Sequence, residues 1–522
     1  MNYIYVDGSK DSNGNGTAFN PYNSLQYVFD MTSLPHPCTI FLKRGQTYQL
    51  NKNLEYLSIT YNTTDSMSYL DAYGVGPLPV VDGNDDSILK TLSARKFTFK
   101  NILFTSSCGK ADDMFFLRPM DFEGDEIADV WFEDCVFKGK FGKNSRYWIA
   151  ITMDAWGEVD RKVNSFGLRR CKFIDVPKGA WLRGNKNSSS TSTGYDIYSK
   201  GVRAEECSGV NVAGDVVIIS NATSDINPLI GINENTSGIF NCFSNSMRVD
   251  AQLRATVAFW LSDCRFAVID HSTVLGTQGA NGGSDKQAFD LDILCNNCVV
   301  QYCYSSNNAG FFLTSNWAGQ VKPKPENIDV LEWYYNQLHG GVNNTVRYCI
   351  SFNDGCQPGQ YKLLLQGYMF NLKVQNCTFI DTVSKDASLV CSDRDWFNQV
   401  NYNQNLRYAT FENVIFYAPN ASKISIYGGY TREDLYASHD LKNSLIFSKT
   451  GVVPNVNSQI NQSNNLFVDP DFINMPNSSP SSIELANKLT ASINSMIRSA
   501  GIHNDYPDFN GKSGNSIGAI QF

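Results

Sequence analysis

The stretch Val130-Trp-Phe-Glu-Asp-Cys135-Val-Phe137 recurs, with variations, along most of the chain and decides the fold. Eight of the fourteen cysteines occupy the same place in such a stretch: Cys135, Cys171, Cys207, Cys242, Cys264, Cys303, Cys349 and Cys377. The same frame recurs with another residue in that place at Ile102, Val414 and Ser444. Successive places are 22 to 46 residues apart. The chain is therefore built from a repeat with a short minimum length and variable insertions.

Each repeat has the pattern of a strand followed by a turn. Small or apolar residues alternate with Lys, Arg, Glu, Gln or Asn, and clusters of Gly, Asn, Asp and Ser follow. Alternation with a period of two predicts β-strands, and the clusters predict turns. A strand repeat of this length cannot bury a face alone, so neighbouring repeats are expected to stack, with equivalent positions about 4.8 Å apart. The predicted fold class is all-β: a single-stranded parallel β-helix, or solenoid.

Stacking of the repeats would place the recurring cysteines in one interior ladder of small, weakly polar groups. A disulfide framework is the alternative, but it is typical of small secreted domains without a large core. We therefore predict buried free thiols. The pair Cys295-Asn-Asn-Cys298 has the spacing of a zinc half-site or a redox motif. It is weak evidence because no second pair occurs and the five histidines are scattered, and no metal is assigned to it.

The composition excludes several classes of protein. The chain has 522 residues, of which 42% are hydrophobic and 18% charged, enough for a large folded core. The net charge is −8 and no run of five basic residues occurs, so no nucleic-acid partner is expected. No stretch of 18 apolar residues occurs, so no membrane partner is expected either. The first thirty residues lack a signal-peptide pattern, and location must be inferred from function.

Both ends of the chain differ from the repeats and are predicted to cover the open strand edges of the solenoid. Near the start, Asn23 or Ser24 can begin a short helix whose apolar face would comprise Leu25, Val28 and Phe29. Near the end, apolar residues recur at helical spacing between residues 481 and 501. The predicted domains are an N-terminal cap with the first repeats (1–50), a β-helix (51–470) and a C-terminal cap (471–522). Insertions into the β-helix are expected near 142–165, 315–345 and 385–405.

Five stretches near the two ends of the chain carry a family resemblance: Tyr5-Val-Asp-Gly-Ser, Asn20-Pro-Tyr-Asn-Ser-Leu25-Gln, Lys43-Arg-Gly45-Gln-Thr-Tyr48, Asn465-Leu-Phe-Val-Asp469-Pro-Asp-Phe and Ile517-Gly-Ala519. They resemble the right-handed parallel β-helix proteins of the pectate-lyase-like superfamily. The resemblance implies a right-handed β-helix over nearly the whole chain. That superfamily includes pectin and alginate lyases, polygalacturonase-like and other glycosidases, and bacteriophage tailspike depolymerases, which share a polysaccharide-binding groove on one sheet. The resemblance thus implies a polysaccharide partner without choosing the chemistry.

The densest acidic spot within a repeat strand is Asp285-Lys286-Gln-Ala-Phe289-Asp290-Leu291-Asp292-Ile293. Alternation is expected to turn Phe289, Leu291 and Ile293 inward and Asp290 and Asp292 outward. Positions two apart on a strand are about 6.6 Å apart, near the carboxyl separation of about 6.5–9.5 Å in inverting glycosidases. An acid on the adjacent strand, about 5 Å away, would suit a retaining mechanism. One carboxyl would act as general acid and the other as general base.

Other interpretations of these acids stay open. Asp285, Asp290 and Asp292 could together hold Ca²⁺, which takes several carboxylate ligands, or the outward carboxylates could simply be solvated. Asp285, in the same acidic stretch, is a further catalytic candidate. Asp354 is another, because equivalent turns line up along a solenoid. A routine Asn-Asp-Gly turn is the alternative for that residue. No other cofactor is expected.

Long insertions and aromatic residues supply candidate walls for a groove, since the 46-residue spacing from Cys303 to Cys349 is too long for a turn. Aromatic faces suit sugar rings, and neighbouring polar groups suit hydroxyls, which favours a neutral or weakly charged glycan. The candidate substrate-binding residues are Lys286, Trp317, Trp333, Tyr334, Arg347, Asn308, Arg394, Trp396 and Trp156. For each aromatic residue, packing within its own loop is the alternative.

These features predict an extracellular polysaccharide-degrading enzyme, a glycoside hydrolase with Asp290 and Asp292 as its acid and base. A polysaccharide lyase is the first alternative. Such an enzyme neutralises the carboxylate of a uronate with cationic side chains or Ca²⁺, and Lys286, Arg347 and Arg394 could supply the cations. A non-catalytic glycan-binding adhesin is the second. A tailspike-like protein would be a homotrimer and a secreted enzyme a monomer, and the sequence leaves both open.

Overall fold

The structure is a computed structural model of the chain, and it describes most of the repeat strands and the turns between them. The described residues are 2–31, 34–51, 54–55, 66–107, 113–119, 127–139, 149–155, 163–185, 199–245, 257–277, 287–316, 341–356, 360–367, 369–392, 409–427, 439–450, 460–472, 475, 495–501, 508 and 512–520. The predicted insertions near 142–165, 315–345 and 385–405 lie largely outside these residues. Within them, no helix has the length and apolar content needed to cross a membrane.

The chain forms two compact units, which we call unit 1 (residues 1–225 and 232–253) and unit 2 (residues 226–231 and 254–522). In each unit, successive strands fall in turn into three parallel sheets, which we call sheets 1, 2 and 3. Each strand pairs with the strand of the next repeat, as Glu133 with Arg169 and Arg169 with Glu205. The predicted parallel β-solenoid is confirmed. The domain boundaries at residues 50 and 470 stay predictions.

The strands of unit 1 are short, and each sheet contains one strand per repeat. Sheet 1 comprises Asn2–Val6, Cys38–Lys43, Ser68–Tyr73, Phe97–Lys100, Ile127–Glu133, Asn164–Arg169, Val202–Glu205 and Gly238–Phe240. Sheet 2 comprises Thr47–Gln49, Val80–Asp82, Leu103–Ser106, Val136–Gly139, Lys172–Ile174, Ser208–Val210 and Phe243–Asn245. Sheet 3 comprises Leu54–Glu55, Leu89–Ala94, Asp113–Pro119, Ile149–Asp154, Lys178–Arg183 and Val217–Ser220. A separate pair consists of Ser199–Lys200 and Ala222–Thr223.

Unit 2 repeats the same order of sheets. Sheet 1 comprises Val268–Asp270, Val299–Gln301, Thr345–Arg347, Leu372–Gln375, Ala409–Glu412, His439–Lys442 and Asn461–Ser463. Sheet 2 comprises Thr273–Leu275, Tyr304–Ser306, Ile350–Phe352, Thr378–Ile380, Ile415–Tyr417 and Leu445–Phe447. Sheet 3 comprises Phe259–Ser262, Gln287–Leu291, Gly310–Asn316, Leu363–Gly367, Asp386–Ser392 and Lys423–Tyr427. A separate pair consists of Gly341–Val342 and Met369–Phe370.

The recurring stretch found in the sequence is the corner between sheets 1 and 2. One residue at each corner has a left-handed backbone, such as Asp134 with φ 55° and Arg170 with φ 51°. The small buried residue after it donates to the carbonyl two positions back, as Cys171 Sγ does to Arg169 O at 3.5 Å. Asn and Asp adopt this conformation most easily among non-glycine residues, which explains why they are frequent there.

The assignment of Cys264 to the predicted cysteine ladder is wrong. Cys264 follows strand Phe259–Ser262 of sheet 3, so it lies at a different corner. The ladder position in that repeat is Ser272, which is buried and donates its hydroxyl to Asp270 O at 3.1 Å. The position accepts either residue because both are small and both can donate to that carbonyl.

The prediction of buried free thiols is confirmed within the described residues. Thirteen of the fourteen cysteines are described; all have free thiols, and only Cys356 among them is partly exposed. Burial raises the pKa values of the Cys349 and Cys377 thiols well above their ordinary range. Cys295 and Cys298 are both buried, and Cys298 Sγ donates to the carbonyl of Cys264 at 3.3 Å. The described residues contain no group of three potential metal-ligating side chains.

The C-terminal segment packs on the outer face of sheet 2 in unit 2. Ile497, Ile517 and Ala519 join Ile415 and Leu445 in one buried apolar cluster. Hydrogen bonds fix this segment beside the second-to-last and third-to-last strands of the sheet: the Gly518 N–H donates to Asn413 O at 2.7 Å, and the Ala519 N–H donates to Thr378 Oγ1 at 3.0 Å. The described part therefore covers a side of the solenoid, whereas the sequence suggested a cover for its end.

The two predicted cap helices have different outcomes. A helix at Leu25–Phe29 is present, with Ser24 as its N-cap and its predicted apolar face buried. That it covers the first repeat stays a prediction. The second predicted helix lies mostly outside the described residues. The part of it that is described contains a 3₁₀ turn at Met496–Arg498.

Candidate functional site

Strand Gln287–Leu291 in sheet 3 of unit 2 positions the first candidate acid. Phe289 and Leu291 point into the core, and the Phe289 ring meets the Phe311 ring edge-on at 5.6 Å. Asp290 therefore belongs to the outer face, as predicted. It lies opposite Trp260 on one neighbouring strand and Leu313 on the other.

Of the interpretations left open for this acidic pair, simple solvation does not fit Asp290. Asp290 is 3% exposed, so it is a covered carboxyl. Asp292 lies just beyond the strand and is half-buried, with its N–H donating to Leu261 O at 2.8 Å. Ile293, expected in the core, is also half-buried, because the strand ends at Leu291. The two acids consequently occupy different environments on one edge of the sheet.

The register decides between the two separations considered for the acids. The positions next to Asp290 on the adjacent strands hold Trp260 and Leu313, neither of which is acidic. Among the described residues, the candidate partner of Asp290 is thus Asp292, which follows the end of the same strand two positions along, at about 6.6 Å between Cα atoms in an extended chain. That is the arrangement considered above for an inverting pair.

Trp260 was not predicted as a site residue, and the structure places it beside Asp290. Its ring is half-buried, and its Nε1–H is buried without a hydrogen-bond partner in the described part of the chain. A buried donor without an acceptor costs free energy, so a sugar hydroxyl would be a favourable ligand there. Its pattern, Phe-Trp-Leu-Ser with alternate residues inward, was the available signal.

Asp354, the further catalytic candidate, lies inside the solenoid near the corner of sheets 2 and 3. Its carboxylate accepts hydrogen bonds from the hydroxyls of Ser305 and Ser351, the latter at 2.7 Å. It also accepts the backbone N–H of Asn308 at 2.8 Å and its Nδ2–H at 2.9 Å. Asp354 is fully buried. Burial raises the pKa of its carboxyl to about 6, although these hydrogen bonds oppose the shift.

A buried ion pair adjoins Asp354. Lys362 Nζ lies 2.7 Å from Asp381 Oδ2, and neither side chain has any exposed surface. The same Nζ donates to the backbone carbonyl of Asp354 at 3.1 Å. Burial alone would raise the pKa of Asp381, but the charge of Lys362 and its hydrogen bond hold it below the ordinary value. We call Asp354, Lys362 and Asp381 the interior triad.

Two predicted substrate-binding residues serve the structure instead. Asn308 is buried and uses its side chain internally, accepting the Thr277 N–H at 2.6 Å and donating to Val274 O at 3.1 Å. Arg347 lies in sheet 1 and not with Asp290 in sheet 3. It is also buried, and its Nε donates to Gln301 Oε1 at 2.8 Å. The structure brings Asn308 to Asp354 but neither residue to the outer face that carries Asp290.

The other candidate residues lie outside the described residues: Asp285, Lys286, Trp156, Trp317, Trp333, Tyr334, Arg394 and Trp396. Their roles stay predictions, and so does the Ca²⁺ alternative, because one of its three ligands is among them.

The raised pKa of Asp354 predicts a pH dependence of stability. A carboxyl with pKa about 6 when folded and about 3.9 when unfolded contributes stability that is complete below the lower value. That contribution is lost as the pH rises through 6, and a difference of about two units corresponds to about 3 kcal/mol. As the pH rises from 4 to 7, the free energy of unfolding of the wild-type protein should therefore fall by up to about 3 kcal/mol relative to that of Asp354→Asn.

Urea unfolding of both proteins across this pH range measures the difference. The two proteins share every other titrating group, including Asp381, whose lowered pKa has the opposite effect on stability. The contributions of these shared groups cancel in the comparison. Parallel stability curves would show that Asp354 is ionised throughout.

Comparison with solved structures finds carbohydrate-active proteins. One is the native GH136 lacto-N-biosidase from Eubacterium ramulus, with 11% identity over 90% of this chain and 68% of that chain and a TM-score of 0.46. Another is XylC in complex with xylose, with 8% identity, 90% and 87% coverage and a TM-score of 0.47. A third is a rhamnogalacturonan lyase, with 12% identity, 91% coverage of both chains and a TM-score of 0.32. The parallel β-solenoid that the resemblance implies is the fold seen in the described residues. The chain matches no family model and no curated protein.

Proposed function

We propose that the chain degrades a polysaccharide as an inverting glycoside hydrolase, with Asp290 as general acid and Asp292 as general base. The observation that carries this proposal is the contrast between two carboxyls on one strand edge. Asp290 is 3% exposed, with Trp260 and Leu313 at the paired positions on the neighbouring strands, whereas Asp292 remains half-exposed. Of two carboxyls in different environments, the one with less access to water suits the general acid and the more exposed one suits the general base.

In this mechanism the two carboxyls act on opposite sides of the scissile bond. Asp290 gives its proton to the leaving oxygen, while Asp292 removes a proton from the attacking water. Their spacing along the strand leaves room for that water. Trp260 would hold the sugar through its ring face and its free Nε1–H.

The direct test is incubation of the protein with a panel of bacterial and plant polysaccharides. We expect new reducing ends without ultraviolet absorbance, and proton NMR should show that the first product has the inverted anomeric configuration. Absorbance from an unsaturated product would replace the hydrolase by the lyase. Binding without any cleavage would favour the adhesin, and retention of configuration would exclude the proposed roles.

The setting of the enzyme is part of the proposal. A large polysaccharide substrate supports an extracellular location, on a virion tail or as a secreted protein. Sedimentation of the purified chain separates the tailspike-like homotrimer from the secreted monomer.

A further inference from the structure

The outer face of sheet 3 in unit 1 carries two parallel rows of side chains that the sequence did not single out. They follow from alternation in adjacent strands, because Thr152 pairs with Trp181, and Asp154 pairs with Arg183. Arg118 follows Leu117, which pairs with Met153, so Arg118 stands beside Asp154. We call these residues the arginine panel: Arg118, Thr152, Asp154, Trp181 and Arg183.

The aromatic ring of the panel is held in a fixed orientation. Trp181 Nε1 donates to Ser220 Oγ at 2.9 Å, and the ring remains half-buried. The guanidinium of Arg183 lies 5.4 Å from the ring centroid. A fixed, partly exposed indole beside polar side chains offers a sugar one apolar face and several hydrogen-bonding groups.

Two polar atoms of the panel lack partners within the described residues. Arg118 Nε is buried and donates to no acceptor there, and Thr152 Oγ1, on a residue only 7% exposed, likewise has no hydrogen-bond partner. Buried polar groups are nearly always hydrogen-bonded, and each exception costs free energy. Both atoms belong to neighbouring strands of one face, so a single ligand could satisfy them together.

The charge of the panel determines which ligand fits. Asp154 Oδ2 lies 3.5 Å from an Arg183 nitrogen, which offsets one positive charge. The five panel residues include two arginines and one acid, so a net charge of +1 remains. A guanidinium matches a planar carboxylate with two parallel hydrogen bonds. A neutral sugar would leave that charge and the Arg118 donor uncompensated.

We propose that the arginine panel binds a carboxylate-bearing sugar unit, so that the substrate is a uronate-containing polysaccharide. The sugar ring lies on Trp181, its carboxylate pairs with Arg118, and a hydroxyl group bonds with Thr152. This inference rests on the proposed function for the presence of a glycan. It also replaces the neutral or weakly charged glycan expected from the sequence by an acidic one.

Binding is tested separately from cleavage, with the Asp290→Asn protein so that the glycan stays intact. Affinity electrophoresis would use polygalacturonate, alginate, hyaluronan and glucuronoxylan, each beside its carboxyl-reduced form. We expect retardation by at least one uronate polymer and at least tenfold weaker binding to its reduced form. Arg118→Gln should weaken binding to the uronate polymer about tenfold, because a charge-assisted hydrogen bond is lost.

Matched variants separate the panel from general electrostatics. Arg170 is an arginine of the same unit that pairs with Asp134 at 2.7 Å at the corner of sheets 1 and 2, and Arg170→Gln should bind as the parent does. Trp181→Ala should abolish retardation, while Trp181→Phe retains most of it. Thermal melting confirms that each variant is folded.

Several results would overturn the inference. They are equal binding to the carboxyl-reduced polymers, absence of binding to all four uronate polymers, and equal losses for Arg118→Gln and Arg170→Gln. If uronate binding is observed but wild-type protein cleaves nothing, the hydrolase proposal fails and this one stands. If the protein binds and cleaves only a neutral glycan, the uronate inference fails and the hydrolase proposal stands.

Discussion

The Asp290→Asn variant is expected to lose at least a hundredfold in kcat on the polysaccharide that the wild-type protein cleaves. A positioned proton-transfer group typically contributes about 10²–10⁴-fold to a rate. The amide has nearly the same shape as the carboxyl but cannot give up a proton to the leaving oxygen. Because the substitution conserves volume, KM should change little. Initial rates of reducing-end release measure the effect.

The two acids can be told apart by the leaving group. An activated aryl glycoside needs little protonation, so Asp290→Asn should retain much more of its activity on that substrate than on the polysaccharide. Asp292→Asn should be impaired on both substrates, because activation of water is still required. Asp386, an exposed acid at the start of a strand in the same sheet, provides the control. If Asp290→Asn and Asp386→Asn have the same kcat, Asp290 is not the acid.

The sequence was sufficient to predict the solenoid because the corner between sheets 1 and 2 places the same demands on every repeat. It needs a residue that tolerates a left-handed backbone and then a small buried residue. Cys264 was misassigned because the corner after sheet 3 uses the same combination, with Asp263 at φ 52° before the cysteine. Local sequence could not distinguish two corners that solve the same steric problem.

The site was harder to predict because alternation gives the face of a side chain and not its surroundings. Asp290 was correctly assigned to the outer face, but its burial depends on residues far away in sequence. Arg347 also points outward from its strand, yet it is enclosed in a hydrogen-bonded row with Gln301 and Asp270. For the arginine panel, the available signal was an aromatic residue two positions before an arginine on a strand of sheet 3, as in Trp181 and Arg183.

The Lys362→Met variant is expected to lose about 3–5 kcal/mol in the free energy of unfolding, the usual cost of removing one partner from a buried ion pair. Both Lys362 and Asp381 are fully buried, so the remaining carboxylate would have no access to water. Arg170→Met is the control. Arg170 pairs with Asp134 at 2.7 Å, the two side chains are 46% and 42% exposed, and loss of an exposed pair costs about 0–1 kcal/mol. Urea unfolding of each variant measures the difference.

Acid should partly rescue Lys362→Met, which separates charge from packing. Without the lysine, burial of Asp381 raises the pKa of that carboxyl in the folded state above its unfolded value. The penalty is then absent below the unfolded pKa and appears as the pH rises through the folded one. The double variant Lys362→Met/Asp381→Asn should likewise recover stability, because its buried carboxylate is gone. A loss that is the same at every pH, and additive in the double variant, would assign the effect to packing.

The interior triad adjoins the strand next to Asp290. The backbone carbonyl of Lys362 accepts the N–H groups of Phe311 and Phe312 at 2.9 and 3.0 Å. A charge effect on stability at Lys362 would therefore show that the buried ion pair stabilises sheet 3 from inside the solenoid.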